Sequence, residues 1–162
     1  MARAKLNDKG LSEFIEALSK TSDKSMKEIA GSALYAMADT VANAIKEKIT
    51  ALRTEEEEPY KGHRHQYLSQ RQKDGLAESF GIAKQRAEGS GWNVRLGFDG
   101  YNSVTTKKYP GGQPNIMVAR AVESGSTYMI KQPFFRTAVN AAKAAAKKAG
   151  EQAAIDEMGK IL

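Results

Sequence analysis

Cysteine is absent from the 162 residues of this chain, which excludes disulfides, a thiolate nucleophile and cysteine-ligated zinc. The absence leaves the compartment open, because a cysteine-free chain folds equally well in either redox state. Histidine occurs only at His63 and His65, so any imidazole chemistry is confined to one short segment. No apolar run approaches the ~20 residues of a membrane-crossing helix. The first residues, MARAKLNDKG, lack the apolar core of a secretory signal. Neither a membrane partner nor export is expected.

What remains fits one globular domain spanning 1–162. Hydrophobic residues make up 41% of the chain, enough at this length to bury a core without staples. The formal charge of +6 permits contact with nucleic acid or an acidic protein surface. The lysines and arginines are nevertheless spread along the whole chain, many beside acids.

Periodicity supplies the elements. Leu11, Phe14, Ile15 and Leu18 share a helical face and predict a short helix over 11–20. Ser22 or Asp23 then caps a much longer helix, over 22–53. Its stripe is Met26, Ile29, Ala30, Ala33, Leu34, Met37, Val41, Ala44, Ile45, Ile49 and Leu52. At 1.5 Å per residue it is roughly 45 Å long. Alanine and glycine at Ala30, Gly31, Ala33 and Ala36 leave room for a close neighbour. Glu55, Glu56, Glu57 and Glu58 sit badly at the negative end of a helix dipole, and Pro59 stops propagation. The polar, aperiodic run that follows predicts a mobile charged arm over 55–74.

Beyond the arm, Phe80 and Ile82 alternate with glycine and alanine. Trp92, Val94, Leu96 and Phe98 do the same across a Gly-rich turn. The pattern predicts an antiparallel hairpin that buries those four side chains. Tyr101 to Pro114 is irregular. Asn115 to Glu123 is a short helix with Ile116, Ala119 and Val122 on one face, ended by Gly125, and Thr127 to Ile130 adds an edge strand. Pro133, tolerated at a first helical position, opens the last helix. Phe134, Phe135, Ala138, Val139, Ala142, Ala145, Ala146, Ala149, Ile155 and Met158 form its apolar side, and Gly150 marks a break or kink. The expected class is α+β, with helices on one face of a small antiparallel sheet.

Candidate chemistry is sparse. His63 and His65 could ligate a metal, but Arg64 stands between them and no acidic ligand lies at a fitting spacing. The glutamate run lacks the turn geometry of a calcium loop. GSGW and PGGQP carry neither a dinucleotide fingerprint nor a P-loop ending. Glu123 and Ser126, in Glu-Ser-Gly-Ser, suggest a catalytic loop, yet the order is wrong for a nucleophile elbow and no base is near. No enzyme activity, metal or cofactor is expected. The arm supports two readings. Lys61, Arg64, Arg71 and Lys73 interleave with Tyr60, His63, His65 and Tyr67, the composition of a segment that tracks phosphates and stacks bases. The preceding glutamates repel phosphate. They favour instead a head-to-tail contact between identical copies, the kind that generates rings or helical assemblies.

Several short segments together resemble a family of tail-completion (head–tail joining, or neck) proteins of long-tailed bacteriophages. Asp74-Gly75-Leu76-Ala77-Glu78-Ser79-Phe80 resembles its Thr-Gly-x-Leu-x-x-Ser segment. Val94 to Phe98 is similar to its V-x-V-G-F strand, with Gly97 at the glycine. Val122 to Ser126 resembles its V-E-x-G-T turn through Glu123 and Gly125. Lys131 to Ala138 resembles its P-F-x-R-P-A segment through Pro133, Phe134 and Phe135. Asp74, Ser126 and Thr137 depart from the pattern, which spans Gly75 to Ala146 and leaves out the arm. The resemblance implies a non-enzymatic virion protein, assembled in the host bacterial cytoplasm. It implies a closed homo-oligomeric ring of about six copies, joining connector and tail-tube proteins around the DNA channel, with only non-specific DNA contact. In that frame Gly125 permits an unusual backbone conformation, and Phe134 and Phe135 anchor the last helix. Glu123 accepts backbone N–H groups in the turn, or pairs with Arg120 or Arg136.

Overall fold

A computed structural model of the protein describes residues 23–55 and 66–161. The predicted helix over 11–20 and Ser22 lie outside the described residues, as does the arm from Glu56 to His65. The class is α+β, with four helices and six short strands among the described residues.

Helix α1 (Asp23–Thr50) has 28 residues, about 42 Å at 1.5 Å per residue. The C-terminal half of its stripe is the better buried: Ala38, Ala42, Ile45 and Ile49 are inaccessible, whereas Met26 and Met37 remain exposed. It stops at Thr50, short of the predicted Arg53. Leu52 N–H turns back to the Ile49 carbonyl, and the Lys73 ammonium donates to the Leu52 carbonyl at 2.9 Å. A cation there satisfies carbonyls that the helix end leaves unpaired.

Helix α4 (Phe135–Ile161), 27 residues long, lies antiparallel to α1. Ser32 of α1 reaches Glu157 near the far end of α4, and Met37 meets Gly150 further back. Gly150, expected to break or kink the helix, lies within one unbroken helical run. A Cβ there would stand 2.4 Å from Met37 Cγ and 3.2 Å from the Ala33 carbonyl. The glycine serves the crossing, and the Ala-rich faces of both helices serve the same close approach. Ile155, expected on the packed side, is exposed, because Gly150, Ala153, Ala154 and Glu157 face α1 at 3-4 spacing and Ile155 falls between them.

The expected single sheet is instead three separate two-stranded ladders. β1 (Thr54–Glu55) runs parallel to β2 (Leu68–Ser69). β3 (Phe80–Ile82) pairs antiparallel with β6 (Leu96–Phe98), in the register Phe80↔Phe98 and Ile82↔Leu96. β4 (Arg86–Glu88) pairs with β5 (Gly91–Asn93) across the turn Gly89-Ser90, with Gly89 at φ +60°, as a two-residue hairpin requires. Between the two halves of this hairpin, Lys84 and Gln85 face Val94 alone. Such an extra residue bends a ladder, and beyond it the chain leaves the core. Trp92, expected to be buried, is therefore exposed, while Val94, Leu96 and Phe98 are half-buried. The expected strand over Thr127–Ile130 reduces to one bridge, Gln66↔Met129.

The second half of the predicted arm is structured. Gln70–Ser79 forms α2, opened by a reciprocal capping box: Ser69 Oγ accepts from Gln72 N–H, and Gln72 Oε1 accepts from Ser69 N–H. Helix α3 (Asn115–Ser124) buries Asn115, Val118, Ala119 and Val122. Ile116, predicted for the packed face, is exposed instead, one position off the 3-4 spacing that the buried set follows. The core joins α1, α2, α3 and the start of α4, centred on Ile45, Ile49, Leu68, Leu76, Val122 and Phe134.

Candidate assembly surface

The corner between α3 and α4 is built by backbone geometry first. Gly125 closes α3 at φ +77°, its N–H donating to the Ala121 carbonyl at 2.8 Å. Left-handed backbone of this kind favours glycine. Ser126 Oγ then accepts the Tyr128 and Met129 amides. Gln132 N–H returns to the Val122 carbonyl at 2.7 Å. The Gln132 side chain clamps the far end of α1, accepting from Arg53 N–H at 2.8 Å and donating to the Arg53 carbonyl at 3.1 Å.

Pro133 stands one residue before the cap of α4, and is not its first helical residue. The Phe134 carbonyl accepts the first helical bond, from Ala138, which makes Phe134 the cap. A phenylalanine has no oxygen to offer the free amides of a helix start. Glu123 supplies it from the previous helix. Its Oε2 accepts from Phe134 and Phe135 N–H, both at 2.8 Å, and its Oε1 accepts from Arg136 N–H at 3.2 Å. Arg136 Nε lies 3.6 Å from the same carboxylate. Partial burial pushes the carboxyl up, but the three amides and the Arg136 charge outweigh it, and Glu123 sits below the usual carboxylate range. Of the expected roles, the amide bonds are made to α4 and not to Glu123's own turn, and the ion pair is with Arg136. Arg120 is left exposed. The two candidate reactive groups of this corner, Glu123 and Ser126, are thus both occupied in holding backbone.

Beside the corner lies an apolar hollow of about 190 Å³. Leu96, Gly97 and Phe98 of β6 wall it on one side and Ile116, Ala119 and Arg120 of α3 on the other. Glu123, Ser124, Phe134 and Phe135 close it. The aromatic rings brace one another: Phe80 and Phe98 have centroids 5.2 Å apart, and Phe98 meets Phe134 edge-on at 6.1 Å. A side chain at Gly97 would meet nothing within 4 Å, so this glycine leaves the outer face of the ladder bare. Ile116 and Met117, both on α3, are exposed.

A buried polar network fixes the irregular segment between β6 and α3. Asn102 Nδ2 donates to the Gln72 carbonyl and to Asn115 Oδ1, and Asn115 Nδ2 donates to the Asp99 carbonyl. Gly75 faces this network directly, for a Cβ there would approach Asn102 Nδ2 to 2.6 Å. The adjoining cleft carries Asp74, Glu78 and Asp99 around Gly75. Among the described residues, no group of three or more His, Cys, Asp or Glu side chains is placed to hold a metal ion.

The predicted interface set is divided by the structure. Glu55 lies in β1, while Glu56, Glu57, Glu58, Lys61, Arg64 and both histidines lie outside the described residues. Arg71 and Lys73 are not on a free arm but on α2. The Arg71 guanidinium donates to the Ser103 carbonyl and Lys73 to that of Leu52. By contrast, Gly97, Glu123, Phe134 and Phe135, far apart in sequence, come together at the hollow. Sequence reasoning missed Asn102, Asn115 and Gln132, whose roles depend on distant carbonyls. It also missed the box at Ser69-Gln70-Arg71-Gln72, although the S-x-x-Q spacing is a recognisable helix start. Compared with family models, curated proteins and solved structures, the chain matches none.

Proposed function

We propose that the protein is a non-enzymatic structural component of a phage virion. In this reading it is a ring-forming head–tail connector or tail-completion subunit, which sits between tail tube and head connector around the DNA channel. One observation carries the reading. Three of the four segments that resemble the tail-completion family converge on one place, where Gly97, Glu123, Phe134 and Phe135 line a single hollow and Glu123 closes the corner onto the last helix. Glu123 and Ser126, the two candidate reactive groups of that corner, both hold backbone, which suits a building block. A DNA-binding role for the arm loses weight because Arg71 and Lys73 are engaged with carbonyls of their own chain.

Sedimentation of the purified protein and mass analysis of assembled particles test the proposal together. A closed oligomer in solution, or stoichiometric incorporation into tailed particles, is the expected result. A chain that stays monomeric at high concentration and is missing from particles sinks it.

A further inference from the structure

The apolar stripe of α1 is covered unevenly. Its second half is inaccessible, but Met26 is 45% exposed and Ile29, Ala30 and Ala33 are only half-buried. Helix α4 runs out over this stretch. Met37 meets Gly150 and Ser32 reaches Glu157. The same antiparallel offset brings half-buried Ile161, the last residue of α4, level with Met26. The open end of the helix pair thus leaves an apolar face uncovered among the described residues.

Such a face suits a further amphipathic helix, and the sequence supplies one beside it. Leu11, Phe14, Ile15 and Leu18 share a face of the helix predicted over 11–20, outside the described residues. Only Thr21 and Ser22 separate it from Asp23, where α1 begins. Two residues span about 10 Å, close to the roughly 8–10 Å between packed helix axes. Connections this short join antiparallel neighbours. Folded back across that turn, a ten-residue helix of about 15 Å brings Leu18 level with Ser25, Phe14 with Ile29 and Leu11 with Ser32. Its whole apolar face therefore falls along the uncovered stretch. The hollow beside β6 lies at the Arg53 end of α1, beyond the reach of so short a link.

We propose that residues 11–20 dock antiparallel on the N-terminal half of α1, where their apolar face covers Met26, Ile29 and the end of α4. The contact is made within one chain, and it does not depend on the ring reading.

Amide exchange and methionine oxidation of the full chain, over a series of concentrations, test this contact. A free helix of ten residues is marginal in water, so the amides of 12–20 gain protection only by docking. In wild type they are expected to exchange about tenfold slower than in an unstructured chain, at every concentration. Met26 is expected to oxidise about fivefold slower in wild type than in Phe14→Asp. Phe14→Asp spoils the segment and Met26→Asp spoils its seat, so both lose protection over 12–20. Unchanged exchange at Ile45 and Ile49 verifies that α1 itself is kept. Wild-type amides over 12–20 that exchange at the unstructured rate overturn the proposal, as does Met26 oxidising equally fast in wild type and Phe14→Asp. Protection that survives Met26→Asp overturns it by placing the segment elsewhere. Protection that appears only as concentration rises overturns it by assigning the seat to a neighbouring copy.

Discussion

At the scale of single residues, Glu123 is the side chain on which the most structure depends. It caps α4 from another helix, through three amides and one guanidinium, and its carboxylate is mostly buried. Replacing a helix cap costs about 0.5–2 kcal/mol, and charge-assisted bonds lie at the upper end. Glu123→Ala is therefore expected to cost about 2 kcal/mol. In a chain of this size that lowers the melting temperature by about 4–8 °C. The pH dependence has a definite sign. Because the folded carboxyl is held below its ordinary value, its contribution is fully present above the unfolded value of about 4.3. It is lost as pH falls through the lower folded value. Thermal melts from pH 7 to pH 3 should show the difference between wild type and Glu123→Ala shrinking in the acid range. A constant difference would show that the charge of Glu123 is irrelevant to the cap.

At the scale of elements, α2 shows what periodicity hides. Gln72 and Leu76 are its only fully buried residues, too few to stand out as an apolar stripe, so the segment reads as part of a charged loop. Its helicity comes from the box at Ser69 and Gln72 and from tertiary contact. Ser69→Ala is expected to cost about 1 kcal/mol, about 2–4 °C in melting temperature, with Gln72→Ala adding less than its own single effect because the two bonds form one unit. A double-mutant cycle measures that coupling, and strict additivity would refute the box. The long helices were legible because their stripes run for many turns. Their exact packing was not, since Gly150 looks like a breaker until Met37 and Ala33 are seen to lie against it. The hairpin was legible in its alternation and its turn. Its bulge was not, because nothing in Lys84-Gln85 marks an extra residue, and that one residue decides whether the distal ladder and Trp92 lie in the core or outside it.

At the scale of the whole molecule, stability is unevenly distributed, and the unevenness bears on assembly. The motif segments were readable one by one as turns and helix starts. The convergence of three of them on one hollow follows from the α1–α4 pair and the Gln132 clamp, which no local pattern records. Protection is expected to be greatest where α1 meets α4, around Ile45, Ile49, Ala138 and Ala142, all buried. It is expected to be least in Arg86 to Asn93, where β4 is exposed throughout and β5 is half-buried only at Asn93. Amide exchange opens such regions locally at low cost while the core exchanges only by global unfolding. Under conditions where the chain is monomeric, hairpin amides are expected to exchange fastest among the paired strands, and those of the α1–α4 contact slowest. Each 1.4 kcal/mol that a neighbouring copy contributes slows local opening about tenfold. A contact between copies that covers the hairpin is expected to raise protection at Ala87, Glu88 and Trp92 in that proportion. The same measurement discriminates between surfaces. Protection appearing on the outer face of α4, around Lys143 and Lys147, with the hairpin unchanged, would place the contact between copies on the helices.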